Sequence, residues 1–254
     1  MAEDAETLTS ISKRAFDSDV EYGAPKGHKP PGYESVVEHL RHIELDSIHY
    51  FKILCDGEIV GGIRVVPQDD MYCYMFGVFV DPGYHRRGIG GKSFGLVRNR
   101  YPQVKRWTLD TPIWNTRTKP FYEGLGFVRL GILRYEPAFD LVYYELITDS
   151  EYQRKTTPIG ELQPEMDNVA VEGTIEGITE PRITKSARNG TRHRVAEAVV
   201  HDDSGSIRAI LHEEAIDQVN SGEFIRIERG CVTVVEGERQ LSIGPRDLLA
   251  ILDC

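Results

Sequence analysis

A chain of 254 residues is long enough for two ordinary domains with separate cores, so it needs neither disulfide staples nor a fibrous repeat to be stable. With 40% apolar and 28% charged residues, and no apolar run near the roughly 20 residues that span a bilayer, it has the composition of a soluble globular protein. A net charge of -10 excludes polyanion binding by bulk attraction, so any nucleic-acid contact must come from a local basic patch.

The acidic start MAEDAETLTSISKRAF has no leader-like apolar core, and a cytoplasmic location without a membrane partner is expected. Cys55, Cys73, Cys231 and Cys254 have neither CxxC nor Cys/His spacing, so neither a disulfide framework nor a metal site is expected.

In chain order, Leu8, Ile11 and Ala15, then Val36, Leu40 and Ile43, recur at helical spacing and predict two amphipathic helices. Gly and Pro punctuate the stretch between them, DVEYGAPKGHKPPGY, which reads as a loop. HYFKILC and EIVGGIRVV are β-rich runs joined by Asp56-Gly57, a two-residue hairpin signal. MYCYMFGVFV is a third strand, and a Gly-rich turn leads from it into a helix with Phe94, Val97 and Tyr101 on one face. Strand RWTLDT, a helix around PFYEGLGF, and strands FVRLGILRY and AFDLVYYELI follow.

Residues 148–157 are polar and read as a linker, dividing the chain into predicted domains 1–150 and 151–254. Beyond it come the short strand-like runs NVAVEGTIEGI, HRVAEAVVH, SIRAIL, EFIRIERGCVTVV and RQLSIG, with one helix candidate, EEAIDQV. Short strands at regular spacing predict a small all-β barrel or sandwich.

The most informative stretch is FVDPGYHRRGIGGKSF, a strand running through His85, Arg86, Arg87, Gly88, Ile89, Gly90, Gly91 and Lys92 into a helix. Backbone amides at a helix N-terminus, approached closely because of the glycines, form an anion cradle, and Arg86, Arg87 and Lys92 add positive charge beside it. Taken alone, the same glycines could merely tighten a strand-to-helix connection.

The turn resembles the pyrophosphate loop of the GNAT family of N-acetyltransferases, written Q/R-x-x-G-x-G/A, and further on WNTRTKPFYEGLGF matches that family's N…FYEKLGF pattern. The resemblance covers residues 2–146 and implies an α+β fold, a mixed, splayed sheet with flanking helices, that uses acetyl-CoA and an amine acceptor. It implies that Val78, Phe79 and Val80, at the end of the family's fourth strand, pair with the pantetheine arm. The loop from His85 to Lys92 would wrap the pyrophosphate, Asn115 would lie near the thioester arm, and Tyr122 would occupy the place of the general acid.

The chemistry gives those roles a reason. An amine must lose its charge before attacking a thioester, a leaving thiolate needs a proton, and a carbonyl oxygen gathering charge needs a donor such as a strand-end N–H near Val80. Tyr122 could otherwise be a packed aromatic, and Asn115 a turn or cap residue. His85 stands where the family has Gln or Arg. No strand-like run precedes the first helix, where relatives usually have an edge strand; either it is lacking or the assigned start is misplaced. Some members carry a base glutamate where Tyr74 stands here, and no carboxylate lies between Met71 and Val80. Asp110 is therefore the leading candidate base, with a turn-capping role as its alternative. The loop from Glu21 to Tyr33, with Tyr22, His28 and Tyr33, is where an acceptor is expected to enter.

The C-terminal part is similar to archaeal single-stranded-DNA-binding proteins and to the OB-folds of replication protein A, which implies an all-β five-stranded barrel. Relatives carry stacking aromatics at two places that here hold His212 and Val234 or Val235, and beyond Tyr152 the one aromatic is Phe224. From Glu151 onward there are twelve Lys/Arg against nineteen Asp/Glu. Arg182, Lys185, Arg188, Arg192 and Arg194 nevertheless cluster between the first two barrel strands, at one of the loops by which OB-folds grip oligonucleotides; a solvated loop is the other reading. The whole chain reads as an acetyl-CoA-dependent N-acetyltransferase whose barrel binds nucleic acid or recruits the acceptor. The alternative is a nucleic-acid or protein-interaction adaptor with a non-catalytic acyl-CoA-binding half.

Overall fold

The computed structural model of the protein describes residues 2–136, 139–185, 191–244 and 247–253. By contacts the chain divides into two compact units: Met1–Arg129 with Tyr144–Tyr152, and Leu130–Tyr143 with Gln153–Cys254.

The first unit opens with helices α1 (Ala5–Asp17) and α2 (Val36–Glu44), followed by strands β1 (His49–Cys55), β2 (Glu58–Pro67) and β3 (Tyr72–Val80). Asp56 and Gly57 both take positive φ, as the β1–β2 turn requires. Then come α3 (Ile89–Asn99), β4 (Arg106–Pro112) and α4 (Thr118–Gly124), and the strand order runs β1-β2-β3-β4. Leu8, Ile11 and Ala15 of α1 do line the core, against Tyr50 and Phe79. In α2 the expected apolar face is only half-buried, and the fully buried side chains are His39 and His42. Their ring nitrogens have partners, Tyr50 Oη for His39 and Arg64 for His42, which is what makes their burial tolerable.

Two irregularities shape this sheet. The β2–β3 register slips between Arg64 and Val65, opposite Gly77 and Met75, so that Phe76 is the extra residue of a bulge. The parallel β3–β4 ladder pairs Tyr72 with Arg106, Cys73 with Trp107 and Tyr74 with Thr108. Beyond that point the two strands diverge, and the sheet is splayed as expected.

The second unit contains strands β5 (Val128–Glu136) and β6 (Phe139–Ile147) for most of their lengths, then β7 (Val169–Glu176), β8 (Arg182–Lys185), β9 (Arg192–Asp202), β10 (Gly205–His212), β11 (Phe224–Val235), β12 (Glu238–Ile243) and β13 (Leu248–Leu252). The pairs β7–β9, β9–β10, β10–β12, β12–β11 and β11–β7 close a five-stranded barrel in which only β10–β12 is parallel. Its core is aliphatic, with Val171, Ile175, Val200, Ala209, Leu211, Ile225 and Ile227 among the fully buried residues. The helix expected over EEAIDQV is a 3-10 turn, Glu213–Gln218, entered through Glu213 at positive φ. Two strands were not anticipated. β8 forms a hairpin with β9, so part of the stretch read as a basic loop is a ladder. β13 pairs with β11 and with β5, where Ile251 meets Ile132, and a Cβ on Gly131 would lie 1.9 Å from the Ile251 carbonyl oxygen. Only glycine fits there.

Candidate active site

The splay leaves β3 with an open edge. Asp81 N–H donates to Val60 O, so by strand alternation Val78 and Val80 turn their N–H and C=O groups away from β2, into the gap. His85 Nε2–H donates to Val80 O at 2.7 Å, which fixes the ring's tautomer and ties the following loop to the strand end. Val80 keeps its N–H facing the gap. The residue that departs from the family pattern therefore works through its ring.

The loop turns on Arg86 and Gly88, both at positive φ. The first helical bond of α3 runs from Lys92 N–H to Gly88 O, so the N–H groups of Ile89, Gly90 and Gly91 are first-turn donors pointing out of the helix end. Gly90 and Gly91 also serve packing: a Cβ at either would lie 3.2–3.3 Å from Phe121 or Leu125, so their small size lets α3 approach α4.

A cleft of about 530 Å³ joins these parts. Its walls are Val78–Val80, His85, Arg86, Gly88 to Gly91 and Tyr122, all singled out from the sequence. They also include Ala15, Phe16, Tyr22, Tyr84, Arg117, Thr118, Pro120 and Phe121. Arg87, Lys92, Asp110 and Asn115 are not among the lining residues. Arg87 donates to Gly83 O at 2.9 Å and lies over the Tyr84 ring, and Lys92 is exposed on α3. Asn115 is buried, and its Oδ1 accepts from Arg117 N–H just before α4, a turn-forming use.

Tyr122 is 7% exposed, ringed by Phe121, Phe127 and Tyr144 at centroid distances of 5.0–6.0 Å. Burial, with Asp110 nearby, raises its phenol far above the ordinary value, so it holds its proton throughout the physiological range. Asp110 Oδ2 accepts from Tyr74 Oη at 2.6 Å, and burial pushes its carboxyl up, opposed by that hydrogen bond. The place of the family's strand glutamate is thus filled by a tyrosine that binds the aspartate.

Sequence reasoning missed Asp19 and Arg117. Arg117 lies over the Tyr22 ring at 4.7 Å and donates to Ser18 Oγ and to buried Asp19, whose carboxyl is raised by burial and held down by the guanidinium. Nearly a hundred residues separate the partners, and no local pattern signals such a pair.

Residues 13–127 match the model of the acetyltransferase (GNAT) family. This stretch is a GNAT domain. Among solved structures, a PaiA N-acetyltransferase from Thermoplasma acidophilum in complex with coenzyme A is similar at 15% identity, covering 57% of this chain and 94% of that one, with a TM-score of 0.49. The ribosomal-protein-S18-alanine N-acetyltransferase from Escherichia coli is similar at 18% identity, covering 61% and 94%, with a TM-score of 0.47. Beyond the GNAT domain, an OB domain from Thermoplasma acidophilum matches at 23% identity over 39% of this chain and 88% of its own, with a TM-score of 0.35. The single-stranded DNA binding protein Ssb of Saccharolobus solfataricus is 28% identical over 92 residues, 36% of this chain. The chain spans 61% of the length of that curated relative.

On the barrel that follows the GNAT domain, the basic cluster is partly committed. Arg182 Nη2 and Arg208 Nη2 both pair with Glu197, and Arg194 binds Asp217 through two bonds at 2.8 and 3.1 Å. Arg192 is exposed; Arg188 and the Lys185 side chain lie outside the described residues. His193 and His212 sit 5.8 Å apart, and His212 bonds to Ser242 Oγ. Cys55, Cys73 and Cys231 are free thiols, while Cys254 lies outside the described residues. No helix is long and apolar enough to cross a membrane among the described residues.

Proposed function

We propose that the protein is an N-acetyltransferase that moves an acetyl group from acetyl-CoA to an amine, with the barrel recruiting the acceptor or binding single-stranded nucleic acid. One observation carries this reading: the β3 strand end Val78–Val80, the first residues of α3 and Tyr122 all line a single cleft. The donor set suits an acyl-CoA, with N–H groups and Arg86 for a pyrophosphate and the open β3 edge for a pantetheine amide. When bound, acetyl-CoA supplies an activated thioester. Val80 N–H, which faces the gap, would donate to a carbonyl oxygen gathering charge, and Tyr122 would donate the proton that a leaving thiolate needs. Asp110, oriented by Tyr74, accepts the proton of the amine through water.

The direct test is acetyl-CoA turnover followed by thiol release across small amines, peptide N-termini and lysine peptides, with and without single-stranded DNA. Acceptor-dependent release supports the reading, and no detectable acetyl-CoA binding would end it. The ion pairs that occupy Arg182 and Arg194 favour a second role for the barrel, protein recruitment. Turnover indifferent to DNA, with no oligonucleotide binding at low salt, would support that role.

Asp110 gives a prediction with a definite sign. Its folded pKa is raised, so the native protein binds more protons than the unfolded chain between the unfolded value near 3.9 and the folded value. Stability therefore falls as pH rises across that window and stays lower above it. Asp110→Asn keeps an oxygen acceptor for Tyr74, so its Tm at pH 7 should exceed the wild-type value, with the advantage gone below pH 3. The same variant should lose the acidic limb of the kcat/KM profile. A lower Tm at pH 7 would contradict the reading of a buried, strained carboxylate.

A further inference from the structure

Arg64 of β2 is an unusual residue to find where it is. It is 9% exposed, its Nε is buried with no hydrogen-bond partner, and it enters no ion pair among the described residues. Burial lowers its pKa, with only the phenols of Tyr50 and Tyr74 acting the other way. Its surroundings are His42, whose Nδ1 accepts from Nη1 at 3.1 Å, the rings of Tyr50 and Phe76 at 5.8 and 4.8 Å, and Gly77, where a Cβ would lie 3.0 Å from Nη2.

None of these neutralises it. His42 is held neutral, its pKa pushed down to about 4 by burial and by Arg64 and Arg41. A neutral imidazole has one lone pair, and Arg41 Nη2 approaches the same ring at 3.2 Å, so even this bond is contested. A buried guanidinium without a carboxylate is costly, and such a group is stabilised when an anion arrives. The planar fork suits carboxylate or phosphate oxygens.

The bulge connects Arg64 to the chemistry. Phe76 is the exposed member of the group, at 38%, and its ring neighbours both Arg64 and Tyr74, 6.3 Å centroid to centroid from the latter. Tyr74 in turn holds Asp110. Two side chains, Phe76 and Tyr74, therefore link a buried, unneutralised cation to the carboxylate assigned to the acceptor amine.

We propose that Arg64 recognises an oxyanion on the acceptor: the amine acetylated by this protein carries a carboxylate or phosphate, bound by the guanidinium when the Phe76 ring turns aside. This rests on the acetyltransferase reading for the word acceptor, but not for the anion site itself.

The test compares matched probes that differ only in the anion: the common amino acids against their α-amides, and phosphoethanolamine against ethanolamine. Binding is measured by calorimetry to the whole protein, with and without coenzyme A. Wild type should bind at least one anionic member about 10-fold or more tightly than its neutral partner. In Arg64→Met, which keeps length and apolar packing, the preference should shrink to within about 2-fold, while Arg64→Lys should keep part of it. Which pair shows the effect separates carboxylate from phosphate. Equal binding of both members of every pair by wild type overturns the proposal whatever the variants do, and so does a preference that survives Arg64→Met. If coenzyme A fails to bind, the acetyltransferase reading falls while the anion comparison without it still decides Arg64.

Discussion

Tyr122→Phe should lower kcat for acetyl transfer by about 100-fold or more, the usual size of a general-acid contribution, with the KM for acetyl-CoA little changed. The ring stays in its aromatic group against Phe127 and Tyr144, so folding and the cleft wall are preserved and the hydroxyl alone is removed. Because burial keeps the phenol protonated, wild-type turnover should show no alkaline limb from this residue below pH 9, which separates a proton donor from a phenolate base. The measurement is steady-state thiol release with the best acceptor found. Undiminished turnover in the variant would remove Tyr122 from the mechanism while leaving the acyl-CoA cleft intact.

The second large effect is on stability. Arg106 and Glu145 are 3% and 5% exposed, with Nε 2.7 Å from Oε1, and the guanidinium stacks 4.3 Å from the Tyr72 ring. Arg106→Ala should destabilise the protein by about 3–5 kcal/mol, because the Glu145 carboxylate stays buried without that charge. Pairing Arg106→Met with Glu145→Leu should recover most of the loss, since apolar replacements of similar volume remove both charges. Urea unfolding checks both, and a double variant as unstable as the single one would contradict the electrostatic account. Arg106 pairs with Tyr72 at the start of the short β3–β4 ladder, so the single variant should also loosen the splay and weaken acetyl-CoA binding.

Much of this was legible from the residues. Asp56-Gly57 announced a hairpin because a two-residue turn at positive φ has few sequence solutions, and FVDPGYHRRGIGGKSF announced a strand running into a helix end because its glycines have few other uses. What escaped depends on contacts distant in sequence. Asp19 and Arg117 meet across most of the domain, and nothing near either residue encodes the meeting. Helical periodicity in α2 pointed to Val36, Leu40 and Ile43, yet His39 and His42 fill the interior, because partners on β1 and β2 satisfy their nitrogens. The strand Leu248–Leu252 is a short apolar run without alternation, since Leu249 faces the barrel core while Leu248 and Ala250 pack against Leu133 and Tyr143, and an unpatterned run of five residues does not declare its class.

The pairing of Ile132 with Ile251 also bears on how the chain reaches its native state. More than a hundred residues separate these partners, so the loop they close carries a large entropy cost and the contact forms late. On the ribosome the hairpin of β5 and β6 emerges long before β13 exists, and until then Leu133 and Tyr143 lack the cover of Leu248 and Ala250. Refolding from urea should therefore contain a slow step, exposed to aggregation, that belongs to the second unit and not to the acetyltransferase cleft.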